Sequence, residues 1–292
     1  MKTRPYHAGL QDRTCKSRHG RTSPCRSSAW LLVTLGLGLL FQTAFAQDAP
    51  VPLPRAHSHN DYLRSRPLLD AIDLGFCSVE ADIYLVDGEL LVAHDRDKCK
   101  PENTLQRLYL DPLLERVRKN NGRVYPGGPE LTLLIDFKSE AETTYARLRE
   151  VLKPYEEMLT VFTPDATETK AVTVILSGNS PRAAVAAEPK RLVAIDGRLP
   201  DLDRQASKHL IPLISSSWGD AFAWKGVGEM PPAERTKLKD IIHRAHANGQ
   251  RVRFWGFPPR PEIWTLLYDE GLDLINADNI AKLKEFLSER QK

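Results

Sequence analysis

Along this chain, short apolar runs rich in β-branched residues alternate with segments whose apolar positions recur every three or four residues. The β-rich runs are Pro54–His57, Ser78–Leu85, Leu131–Phe137, Val172–Leu176, Arg191–Ile195, Leu210–Ile214, Arg251–Trp255 and Leu272–Asn276. Between them, "RPLLDAIDLG" begins with Pro67 near its first turn and stops at Gly75, the usual punctuation of a helix. "PPAERTKLKDIIHRAHANG" sets Leu238, Ile241, Ile242 and Ala245 on one face and ends at Asn248-Gly249, and "PEIWTLLYDEG" stops at Gly271. "TLQRLYLDPLLERVRKNNG" and "AETTYARLREVLKPYEEML" complete the set, with Pro112 and Pro154 expected to kink or split them. Strands alternating with helices imply βαβ units around a parallel sheet. Eight strands over about 240 residues predict an α/β fold of the (β/α)8 TIM barrel type. A doubly wound sheet is the alternative, because the fourth and fifth repeats are weak and "SGNSPRAAVAAEP" offers only a short helix. "VDGELLVAHD" adds a short extra strand by a turn at Asp87-Gly88.

The first 46 residues do not share this pattern. Residues 1–28 are basic and polar, Ala29 to Leu40 are largely apolar, and Ala44-Phe45-Ala46 places small residues before Gln47. A basic region, a short apolar core and an A-x-A site predict a secretory signal over residues 1–46 and an exported, periplasmic or secreted, domain over residues 47–292. An uncleaved N-terminal membrane anchor is the alternative. Removing the leader reverses the charge. It holds seven of the 41 Lys and Arg and one of the 38 acids, so 34 basic residues face 37 acidic ones in the remainder, −3 in place of +3. No basic field then remains to argue for nucleic acid as a partner. Cys77 and Cys99 are the cysteines beyond the leader; they can pair in an oxidising compartment, and their spacing carries no metal pattern.

In a barrel of this kind, chemistry belongs to the loops at the C-terminal ends of the strands. Strand one ends in His57-Ser58-His59-Asn60. Glu80 and Asp82 lie two apart on the second strand and share its inner face, while Val79, Ala81 and Ile83 cover the outside. The added strand ends in His94, "LTLLIDFK" places Asp136 and Lys138 on one side, and strand seven ends in Trp255. Three carboxylates in one mouth repel, and a hard divalent cation, Mg2+ or Ca2+, removes the conflict. Two histidines across the mouth suit a general acid and a general base, and Lys138 adds positive charge. This set fits a phosphodiester, whose reaction needs charge neutralised on the phosphoryl oxygens and a proton moved at each end.

At these residues the chain resembles the glycerophosphodiester phosphodiesterase and phosphatidylinositol phospholipase C-like superfamily. The resemblance rests on "VEADIYLVDGELLVAHD", "LLIDFK" and "FWGF…GLDLINAD", and runs from Arg55 to about Phe286. "HSHNDY…RPLLDAIDLGFCSVEADIYLVDGELLVAHD" is closer to its bacterial branch and to the altered inheritance of mitochondria protein type. It implies a barrel phosphodiesterase with one divalent cation held by Glu80, Asp82 and Asp136, and with His57 and His94 as the catalytic pair. It also implies substrate contacts from Lys138 and Trp255. The superfamily pattern on strand one is His-Arg-Gly, but here Ser58 stands where the phosphate-binding arginine would be. Asn60, three residues after His57, is similar to the sphingomyelinase D branch, and implies a phospholipid-like or lysophospholipid-like substrate with an internal hydroxyl as nucleophile. The expected partners are a small phosphodiester or phospholipid substrate and a transient contact with a membrane surface.

Several readings stay open. His59 is either a third polar contact or the true partner of His94 in a shifted register. Asp61 can cap the helix that follows, and Tyr62 can pack on it. Trp218 and Trp224 either line a cleft or simply pack. An H-x-H on strand one also opens amidohydrolase-type sites, with Asp278 as their late aspartate, yet no histidine ends strand five or six. A ligand-binding barrel without turnover is the remaining alternative.

Overall fold

The structure, a computed structural model, describes residues 50–291; the expected leader at 1–46 lies outside them. The strands are β1 (Leu53–Ser58), β2 (Phe76–Val86), β3 (Glu89–Val92), β4 (Leu131–Phe137), β5 (Val161–Phe162), β6 (Thr167–Glu168), β7 (Val172–Gly178), β8 (Val193–Gly197), β9 (Leu213–Ser217), β10 (Arg251–Trp255) and β11 (Leu274–Ala277). Eight of them pair in parallel in the order β1-β2-β4-β7-β8-β9-β10-β11, and β11 returns to β1. The closed ring is a TIM barrel, and the open doubly wound sheet is excluded. β3 folds back antiparallel on β2 through Asp87 and Gly88, both at positive φ (49° and 82°), as a two-residue hairpin requires. β5 and β6 form a small separate hairpin.

Helices α1 (Leu69–Ile72), α2 (Asp111–Lys119), α3 (Ala141–Leu152), α4 (Arg182–Ala187), α5 (Leu199–Asp203), α6 (Trp218–Ala221), α7 (Pro232–Ala247), α8 (Pro261–Asp269) and α9 (Ile280–Arg290) connect the strands. Pro112 lies in the first turn of α2, after a π-helical turn at Gln106–Leu110, and Pro154 sits in a 3-10 turn that closes α3. Both prolines therefore mark boundaries, as their missing N–H dictates. Among the described residues no helix is long and apolar enough to cross a membrane.

Every expected strand is present, but three start late, β11 two residues after the expected Leu272. β8 begins two residues after the expected Arg191, and β9 three residues after the expected Leu210. In both, the strand runs on into polar residues, Asp196-Gly197 and Ser215-Ser216-Ser217, which an apolar pattern assigns to loops. The outward residues Val79, Ala81 and Ile83 are completely buried under helices, and the opposite face of β2 carries Glu80 and Asp82 into the barrel. Trp218 is fully buried, with Phe222, Phe254 and Phe257 around it, and is packing. Cys77 and Cys99 are both free thiols; burial pushes the Cys77 thiol up to about 12.

Candidate active site

Register decides what meets at the mouth. Asp82 on β2 pairs with Asp136 on β4, and Asp136 with Ser177 on β7, so two carboxylates stand side by side on adjacent strands. Glu80, one inward position below, completes a group whose oxygens all lie within 4.8 Å of one another. Burial first, and repulsion between the carboxylates after it, disfavours their charged forms: Asp82 is raised to about 6, and Asp136 is also raised. Lys138 lies between them, its Nζ 3.2 Å from Asp82 Oδ2 and 3.3 Å from Asp136 Oδ1. Gly178 makes room for this arrangement, since a Cβ there would land on Asp136 Oδ1.

His59, Asn60, His94, Ser177, Arg198, Arg253 and Trp255 join the acids and Lys138 around a cleft of about 250 Å³. His57 does not. It pairs in register with Ser78, two residues short of Glu80, so its side chain lies one layer deeper in the barrel. There it is completely buried, with Nδ1 2.7 Å from Ser78 Oγ and Nε2 without a partner. Burial first, then the charge of Arg253, holds its imidazole well below the ordinary histidine range and therefore neutral. The expectation that His57 faces His94 across the cleft is thus corrected: His59, the first residue beyond β1, occupies that position. The H-x-H is split between barrel floor and cleft, so it is no chelating pair. Among the described residues the only His/Cys/Asp/Glu group spaced for a metal is the all-carboxylate one, which removes the amidohydrolase reading.

Each cleft histidine is oriented by a partner at its Nδ1. His59 Nδ1 is 2.7 Å from Asp278 Oδ1, which leaves Nε2 on the side of Glu80, at 3.7 Å from Oε2. Asn60 Nδ2 donates to the same Asp278 oxygen at 3.2 Å. On the other side Tyr62 Oη is 2.7 Å from Asp82 Oδ2, 2.9 Å from His94 Nδ1 and 2.8 Å from Asn60 Oδ1. A phenol has one proton, and burial first, then the hydrogen bond to Asp82 and the nearby acids, holds that proton on and shifts the Tyr62 pKa upward. With the proton donated to Asp82, the oxygen accepts from His94 Nδ1–H and leaves Nε2 as a lone pair. Asn60 adopts a left-handed backbone (φ 47°, ψ 40°), which turns its N–H toward Glu80 Oε2 at 3.2 Å. Asp61, expected as a cap, is fully buried and instead accepts from Ser58 Oγ, Leu68 N–H and Tyr109 Oη.

Two arginines also line the cleft. Arg253, nearly buried on β10, donates to Asn276 Oδ1 at 3.0 Å and lies 3.4 Å from Glu80 Oε1. Arg198 follows β8 and pairs with Asp196 at 2.8 Å. Their guanidinium carbons lie 5.3 and 5.6 Å from the Trp255 ring centroid. Neither arginine was expected from the sequence, nor was the bridging role of Tyr62.

With this geometry in hand, likeness to known proteins is decisive. Residues 44–196 match the AIM6-like phosphodiesterase domain. Altered inheritance of mitochondria protein 6 of Eremothecium gossypii is 33% identical over 276 residues, covering 82% of this chain and 71% of that protein. The chain belongs to the AIM6-like phosphodiesterase family. A homolog from Arthroderma benhamiae is 30% identical over 266 residues, covering 81% of this chain and 84% of its own. Among solved structures, a glycerophosphodiester phosphodiesterase from Parabacteroides distasonis superposes with a TM-score of 0.50 at 15% identity, over 82% of this chain and 98% of that one. That likeness is one of fold, and it places this AIM6-like chain on the same barrel.

Proposed function

We propose that this protein is an exported, metal-dependent phosphoric diester hydrolase acting on a glycerophosphodiester or lysophospholipid-type substrate. The observation that carries the reading is the convergence of Glu80, Asp82 and Asp136 with Lys138, between His59 and His94. The donor set is all oxygen, which suits Mg2+ or Ca2+ and not a soft metal. Glu80, Asp82 and Asp136 would hold the ion; bound there, it would neutralise charge on the phosphoryl group. Charge balance supports this. Three carboxylates against Lys138 and Arg253 leave the unit at −1, and a divalent cation brings it to +1, the complement of a phosphodiester anion.

The chain's own groups divide the remaining work. Lys138, Arg253 and Arg198 face the phosphoryl oxygens. Nε2 of one cleft histidine takes a proton from the attacking oxygen, and Nε2 of the other returns one to the leaving oxygen. Tyr62 and Asp278 fix the ring orientations that this exchange needs, and Trp255 with Asn60 positions the organic part of the substrate. Export rests on the basic, apolar and A-x-A succession of residues 1–46.

Turnover of glycerophosphocholine, lysophosphatidylcholine and bis-p-nitrophenyl phosphate by the purified chain, with and without EDTA, tests the reading. Expected is metal-dependent release that His59→Ala and His94→Ala each reduce by about 10²-fold or more, as loss of a proton-transfer group does. His57→Gln should leave most of the rate. Activity that survives EDTA and both alanine substitutions would sink the proposal.

A further inference from the structure

A second cavity, of about 160 Å³, lies between α3 and the chain that leads into β8. Val193, the first residue of β8, borders it. It therefore sits at the N-terminal ends of the strands, away from the catalytic cleft at their C-terminal ends. Arg191 lines it and is only 3% exposed. Its backbone is fixed by a two-way bridge to Phe162 (N–H to O distances of 2.9 and 3.0 Å), which ties it to β5. One guanidinium nitrogen, Nη2, donates to the His209 carbonyl, while the Nε–H has no acceptor.

No carboxylate stands within ion-pairing distance of the Arg191 guanidinium among the described residues; Glu188 and Tyr145 act on its charge only from further off. Glu188 is taken by Arg149 at 3.0 Å and Glu156 by Lys190 at 2.7 Å. The lining holds four cations and two acids, and Lys153 pairs with Glu150 just outside it at 2.7 Å. A buried donor without an acceptor, and a buried charge without a counter-ion, each cost stability. The purely structural account, in which Arg191 ties the β5 hairpin to the loop before β9, uses Nη2 alone. Water in the cavity supplies no counter-charge, and the Nε atom itself is closed to it. The rest of the wall is carbon, from Leu152, Leu192, Val193 and the Tyr145 ring. Charged side chains gathered over a patch of carbon suit a small anion that carries an apolar part.

We propose that this cavity is a second ligand site, in which Arg191 receives the phosphate or carboxylate group of a small organic anion whose apolar part lies against Leu152, Leu192 and Val193. Because it rests on a different face and on different residues, it stands independently of the catalytic reading.

Crystals of the full chain soaked in selenate should show an anomalous peak within hydrogen-bonding reach of Arg191. In solution, calorimetric titration with phenyl phosphate should contain a component that survives Lys138→Gln in the catalytic cleft and disappears in Arg191→Gln. Lys190→Glu, on the exposed rim, keeps the buried contacts and should weaken that component roughly tenfold through charge alone. If Arg191→Gln fails to fold, the Lys190→Glu titration decides. Selenate confined to the catalytic cleft, or a titration that Lys190→Glu leaves unchanged, would overturn the proposal.

Discussion

One phenol hydroxyl links three parts of the catalytic cleft, because Tyr62 Oη touches Asp82, His94 and Asn60 together. Removing it leaves a metal-ligand candidate and a histidine without their orienting partner, and losses of about 10- to 100-fold follow when such outer partners are removed. Tyr62→Phe should therefore lower kcat by roughly that factor while the circular dichroism spectrum stays unchanged; full activity in the phenylalanine variant would show that the bridge is incidental. Gly178→Ala tests the same cleft from the side of space. Its methyl group must displace the Asp136 carboxylate, so Mg2+ affinity measured by calorimetry should fall, and equal affinity would refute that account. At this scale the sequence is readable where spacing alone settles direction. Glu80 and Asp82 alternate with apolar neighbours, and Asp136 follows an apolar run, so their inward aim needs no further information. His57 against His59 is different, because residues two apart share a strand face and only the pairing of His57 with Ser78 reveals which one is deeper. Arg198 and Arg253 look like ordinary solvated charges until the barrel closes over them.

Elements were legible wherever hydrophobicity and structure coincide, as in β4 and β10, whose observed limits are the expected ones. They blur where strands become polar at the functional end. β9 consists largely of serines, and the apolar Leu210-Ile211 before it is only a lead-in interrupted by Pro212. The final helix, α9, escaped notice because it follows directly on the site strand β11 with no proline to announce it. Helix α3 offers a test of local design. Glu140 caps it, accepting from the Thr143 hydroxyl and from the N–H groups of Thr143 and Glu142, and these bonds lower its pKa from 4.5 to about 2. An acid whose folded pKa is depressed adds stability above its unfolded value and loses it as pH falls toward the folded one. Glu140→Gln should accordingly lower the urea midpoint at pH 7, and the gap to the unsubstituted protein should narrow as pH drops below 4.5. A gap independent of pH would mean that charge is not what the cap contributes.

The described residues form a ring whose seam joins its first strand to its last. β1 takes β2 on one side and β11 on the other, and Gln291 Nε2 reaches the carbonyl of Pro52 at 3.4 Å, so the two ends of the described chain meet. Residues at the seam also serve the site, since Asp278 follows β11 and orients His59 just beyond β1. A chain that stops at Gly271 lacks β11 and α9, and should show neither a cooperative thermal transition nor native near-ultraviolet dichroism; a cooperative melt would mean that the ring holds without its last stave. During synthesis the same seam imposes an order of events. Until the last residues emerge, β1 and β10 remain bare borders of a nascent curved sheet, each able to recruit a strand from another chain. If the protein leaves the cell through a channel that threads extended chains, that vulnerable interval falls on the far side, where holdase-type chaperones would have to shield two open borders until the final strand arrives.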